Sequence, residues 1–119
     1  MIDISCLQII KHRKQYDKVA KFMNKGMMDV KTIAIKNDIG KYFASNEEET
    51  INFDSFRSLF FNEYHRNIKK ADIEYYNGII KKMEQDVPEA VQKNIINSLL
   101  TLGFATKVAS KIDDYQAGE

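Results

Sequence analysis

Apolar side chains return every three or four positions through most of the chain, the spacing of helices with one buried face. Ile4, Leu7 and Ile10 open the series, and Tyr16, Val19 (or Ala20) and Met23 resume it. Between them the polar run Lys11-His12-Arg13-Lys14-Gln15 predicts a break between two short helices. Gly26 is placed to end the second as a C-cap. Asp29 can cap a helix carrying Val30, Ile33, Ala34 and Tyr42, weakened at Gly40 and stopping near Ser45-Asn46. Glu47-Glu48-Glu49 reads as a solvated loop, after which Asn52 or Asp54 starts a helix with Phe56, Leu59, Phe60 and Tyr64 on its apolar face and Phe61 off the stripe.

After the basic connector 66–70, Asp72 is the expected cap of a helix in which Ile73, Tyr76, Ile80, Met83 and Val87 are spaced 3, 4, 3, 4. That alternation is the seam of packed helices, too short here to define a coiled coil. Pro88 suits the first turn of a following helix, where its missing N–H would be unpaired anyway. From there Val91, Ile95, Leu99 and Leu102 lead on to Ala105, Val108, Ala109, Ile112 and Tyr115, with Gly103 bending or dividing the segment. The pairs Ile95-Ile96 and Leu99-Leu100 widen its apolar arc beyond what one neighbour requires, which puts it at the centre of the bundle or in an interface. Period-two alternation and Asn-Gly or Asp-Gly hairpin signals are missing from the sequence. The predicted fold is all-α: one domain over residues 1–119, a small bundle of about five or six helices ending in a helical hairpin.

Composition narrows the class. With 119 residues, 44% hydrophobic and 29% charged, five Gly and one Pro, the chain can build a packed core and does not have the make-up of a disordered or collagen-like segment. A lone cysteine, Cys6, can form neither an internal disulfide nor a Cys-rich zinc module, which points to a cytoplasmic location. The opening Met1-Ile2-Asp3-Ile4 does not have the basic-then-apolar order of a signal peptide, and wholly apolar runs are short. The net charge of +1 argues against a strongly nucleic-acid-binding surface. It hides an asymmetry, since residues 1–41 hold nine Lys or Arg against four Asp, and the remainder nine against thirteen Asp or Glu. Lys11, Arg13, Lys14 and Lys18 are therefore the candidate basic contact face, weighed against a plain solvated surface.

Tests for chemistry give little. Asn46 to Ser55 fails as a calcium loop, because Glu49 stands at the glycine position and Ser55 where a bidentate carboxylate is needed. His12 and His65 have no helical i+4 His or Cys partner, so no metal set is expected. Cys6 in an amphipathic helix reads as a small core residue rather than a nucleophile. Neither G-x-x-x-x-G-K-[ST] nor G-x-G-x-x-G occurs, so the chain is expected to need no cofactor, and autonomous ATP hydrolysis is excluded. Adjacent Phe60 and Phe61 are either core or a binding hot spot.

The block from Ile51 to Glu119 resembles the N-terminal domain of phage replicative helicases of the DnaB-like family. The resemblance is carried by Ile51-Asn52-Phe53-Asp54-Ser55-Phe56 at a helix start, by Ala71-Asp72-Ile73-Glu74-Tyr75-Tyr76 opening the next, and by 104–112, FATKVASKI. Asp114 to Glu119 is similar to the passage into the linker before a motor domain, and residues 1–45 match less specifically. The family implies a non-catalytic domain that packs with its own copies into a dimer or ring and receives primase or a helicase loader. It also implies that 1–119 is part of a longer, ATP-driven chain in the host cytoplasm. On this view self-association is expected on Ile80, Met83, Ile95, Leu99 and Leu102, with DNA binding weak at most in isolation. The rival expectation is a free-standing helical regulator or nucleic-acid-binding protein using the basic N-terminal third; an enzyme is the weakest reading.

Overall fold

The computed structural model of the protein describes residues 3–24, 26 and 28–101. Helix α1 (Ile4–Ile10) begins where the Asp3 carboxylate accepts from the Cys6 N–H at 3.3 Å, satisfying one of the unpaired donors of the first turn. The polar run does break the helix: His12 is extended (φ −94°, ψ 124°), and α2 (Arg13–Val19) follows, tightened by a 3₁₀ turn over Ala20–Phe22. The freed backbone at this break is taken up by the acidic loop, since Ile51 N–H donates to the Lys11 carbonyl at 3.0 Å and Arg13 N–H to the Glu49 carbonyl at 2.7 Å. Glu47 and Glu49 are exposed as expected, but the Glu48 carboxylate accepts from the buried Tyr42 hydroxyl at 2.5 Å, and the loop's backbone is pinned.

Asp29 caps α3 (Val30–Ser45) through the Lys31 N–H at 3.4 Å, and Asn52 caps α4 (Phe53–Leu59) through the Ser55 N–H at 3.2 Å. From α4 the chain runs without interruption into a π-helical turn, Phe60–Tyr64. Helix α5 (Lys70–Met83) and a sixth helix, α6, helical over residues 89–101, complete the described bundle. The fold is all-α, with six α-helices and no strand among the described residues. None of those helices is long and apolar enough to cross a membrane.

Helix α1 lies at the centre, packed against α2, α3 and α5. Leu7, Ile10, Val19, Met23, Ile39, Tyr42, Phe56, Ile80 and Met83 have no exposed surface. At roughly 1.5–3 kcal/mol for each large apolar side chain removed from water, this shared core is what holds short helices that would not persist alone. A run of edge-on and tilted rings, Phe43–Tyr42–Phe56–Phe60, crosses it with centroids 5.9–6.0 Å apart. Ile96 and Leu99 of α6 enter the same core.

Four expectations are corrected. Gly26 is not a helix cap: the 3₁₀ turn already ends at Phe22, and Gly26 N–H donates to the Asn24 side chain at 3.0 Å in a local turn. Lys69, not Asp72, precedes the first residue of α5, and Asp72 lies inside the first turn, where a carboxylate favours the helix dipole. Val30 and Val91 are exposed rather than apolar-face residues, because Thr32, Ile33 and Ile35 take the buried side of α3 and Ile96 and Leu99 that of α6. Phe61 is half-buried against Phe60 at 4.9 Å, since the wider π turn rotates it towards the core edge. The expectations placed on Leu102, Gly103 and the segment 104–119 lie outside the described residues.

Candidate functional site

The basic contact face dissolves on inspection of its side chains. Lys11 is buried, and its Nζ donates to the Glu84 carbonyl at 3.2 Å, the Gln85 carbonyl at 2.9 Å and Asp86 Oδ1 at 2.8 Å. It ties the exit of α5 to the helix break, and its hydrogen bond and charge hold the Asp86 carboxyl below the usual carboxylate range. Arg13 is spent in the same way. Its guanidinium lies 4.7 Å over the Phe43 ring and donates to the carbonyls of Phe43, Asn46 and Glu48, from the last turn of α3 into the acidic loop. Lys11 is buried and Arg13 half-buried, and both spend their donors on protein acceptors instead of presenting them to phosphates. Of the four residues expected on that face, Lys14 and Lys18 are exposed on α2.

The expected association face is redistributed too. Ile80 and Met83 have no exposed surface and Leu99 only 4%, because they fill the core of the single chain. That corrects their assignment to an interface. Ile95 is half-buried, Leu102 lies outside the described residues, and Val91 on the same helix is 44% exposed. Beside Ile95 runs an open groove of about 500 Å³ lined by Asp3, Cys6, Met28, Asn94, Ser98 and Leu99. It separates the start of α1 from α6. Burial and the neighbouring Asp3 push the Cys6 thiol up to about 12, so it lines the groove as a neutral thiol and not as a nucleophile.

The second concavity is built around the π turn. His65 closes that turn through its N–H to the Phe60 carbonyl at 2.8 Å, and its own carbonyl accepts from Ile68 N–H at 3.1 Å. Its Nε2 lies 2.6 Å from Oδ2 of Asp38, a buried carboxylate on α3 that also has Lys41 Nζ 3.7 Å from Oδ1. The Nε2 contact fixes the plane of the imidazole. Burial, with smaller contributions from Asp38 and Glu63, pushes the Tyr64 phenol up. The cleft of about 580 Å³ at this point is lined by Tyr64, His65, Arg66, Asn67, Lys69 and Tyr76, with Glu63 and Asp72 also on its walls.

Sequence reasoning missed the Asp38–His65 pair because 27 residues separate its members and neither lies in a motif. Asp38 alone carried a signal: a carboxylate one position before the apolar Ile39, on the buried side of a helix, needs a partner. Among the described residues no three His, Cys, Asp or Glu side chains are grouped so as to hold a metal ion. The chain matches no protein-family model, no curated protein and no solved structure.

Proposed function

We propose that this chain is a non-catalytic docking module that associates with its own copies and receives a protein partner, as the resemblance to phage DnaB-like helicase N-terminal domains implies. On that reading the partner is a primase or a helicase loader. The observation that carries the proposal is the open groove between α1 and α6, with Ile95 and Leu99 on its wall and Val91 exposed on the same helix. The side chains best suited to chemistry or to phosphate contact support it from the other side. Lys11 and Arg13 are consumed by architecture, Cys6 is protonated, and no Ser, Thr or Cys side chain is among the described residues lining the cleft at His65. A contiguous apolar concavity rimmed by Asp3, Asn94 and Ser98 has the make-up of a protein contact, an apolar centre with a polar edge.

The location of the contact is tested by amide chemical shifts recorded over a dilution series. Changes concentrated at Met28, Val91, Asn94, Ile95 and Ser98 are the expected result. Spectra independent of concentration, or changes confined to α2 and its lysines, would sink the reading.

A further inference from the structure

Among the described residues three large hydrophobic side chains are exposed, and two of them are brought to one surface. Val30, 69% exposed, opens α3, and the neighbouring Lys31 places its Nζ 4.8 Å over the ring of Tyr75, 45% exposed on α5. Ala71, Tyr75, Gly78 and Lys82 follow one another at intervals of four, three and four, so they line one side of α5, turned away from Ile80 and Met83 in the core. The glycine there has no internal cause. A Cβ on Gly78 would meet nothing within 4 Å, although glycine weakens a mid-helix position relative to alanine. Lys31, Lys70, Lys81 and Lys82 are exposed around this stripe, with Glu74 the carboxylate among them, since Asp72 lines the cleft at the π turn.

We propose that the outer face of α5 docks an acidic amphipathic helix of a partner protein, with Tyr75 and Val30 as apolar anchors and Gly78 as the point of closest approach. Charge selects the partner's chemistry. Four ammonium groups against one carboxylate complement carboxylates on the incoming chain. An exposed tyrosine ring supplies the aromatic contact that protein interfaces favour, and a bare α-carbon on a convex helix lets a second backbone come close. A second copy of the chain fits badly, because a two-fold contact through this face would set lysines against lysines. Single-stranded nucleic acid would satisfy the lysines but leave Val30 and the open space at Gly78 without a use. This face shares no lining residue with the groove between α1 and α6, so the inference stands apart from the reading built on that groove.

Amide chemical shifts of the full chain, titrated with a synthetic amphipathic helix of Glu, Ala and Leu, test the proposal. Shifts concentrated at Val30, Lys31, Ala71, Tyr75 and Gly78 are expected, with a dissociation constant in the tens to hundreds of micromolar that weakens as salt is raised. The same peptide with Lys in place of Glu should leave these amides unmoved. Gly78→Ala is the sharpest variant: it should raise the melting temperature, because the added methyl meets nothing, and weaken the peptide about tenfold. Tyr75→Gln, at an exposed position, should weaken it to a similar degree. No shifts at millimolar peptide, or shifts confined to Lys14 and Lys18 on α2, overturn the proposal. So do undiminished binding by Gly78→Ala, and a single-stranded oligodeoxynucleotide that moves the same amides at lower concentration than the peptide. Such a failure leaves concentration-dependent shifts at Asn94, Ile95 and Ser98 untouched, so it is distinguishable from failure of the groove.

Discussion

Gly40 is confined to a bare α-carbon by one hydroxyl group. A Cβ there would lie 2.3 Å from Tyr16 Oη and 3.2 Å from Cζ, so the glycine that weakens α3 by propensity is the one that lets α2 lie against it. Gly40→Ala should gain the ~1 kcal/mol that Ala holds over Gly in a helix yet lose more to the overlap, for a net destabilisation of about 1–2 kcal/mol. Thermal or urea unfolding of the single variant and of Gly40→Ala with Tyr16→Phe decides the matter: removing the hydroxyl should recover most of the loss. Additive effects of the two substitutions would show that the close approach is not the cause. The sequence marks Gly40 as a helix weakness and nothing more, because the reason for it sits 24 positions away on another element. Asp38 signalled a need for a partner, but His65, 27 positions away, was illegible for the same reason.

At the scale of elements, the exit of α5 is where the chain is most heavily cross-tied. Arg57 donates to both carboxylate oxygens of Glu84 at 3.1 and 3.0 Å, Gln8 Nε2 to the Lys82 carbonyl at 2.8 Å, and Lys11 to three acceptors in 84–86. These ties set where α6 begins, and with it one wall of the groove. Lys11→Gln should therefore cost about 2 kcal/mol in unfolding free energy, the value of charge-assisted hydrogen bonds lost from a buried donor. It should leave DNA affinity unchanged; a variant of native stability with weakened DNA binding would restore the basic face that the packing removes. Acid tests the same ties. Glu84 is held below the usual carboxylate range by its hydrogen bond to Arg57, and Asp86 by its bond to Lys11. The unfolded chain thus takes up protons first as the pH falls. The stabilisation is complete above the ordinary values near ~4 and drains away as the pH drops through the lower folded values. Glu84→Gln should lower the melting temperature at neutral pH by the equivalent of at most ~1 kcal/mol for so exposed a pair, and the difference should close near pH ~2. A gap that persists in acid would assign the effect to packing instead.

Across the whole molecule, the legible and illegible parts divide by range. Helices α1 to α4, the break at Lys11–His12, the Asp29 and Asn52 caps and the all-α class follow from spacing and local capping, which the chain writes in consecutive residues. The π turn, the cleft at His65 and the burial of Lys11 depend on contacts between residues far apart in sequence, so composition misassigned two internal ties as a charged face. The same limit moved Ile80 and Met83 from an expected interface into the core, where α5 packs against α1. What remains outward-facing at that end is the groove wall of α6 with Val91, and the proposed role as a docking module rests there. Sedimentation equilibrium of the 13.8 kDa chain from low to high micromolar concentration, beside Val91→Glu, tests that role most directly. The account predicts a mass that rises with concentration for the native chain and stays monomeric for the variant, whose substitution at an exposed position leaves the fold intact. A native chain that remains a monomer throughout, or a variant that associates as the native chain does, would contradict it.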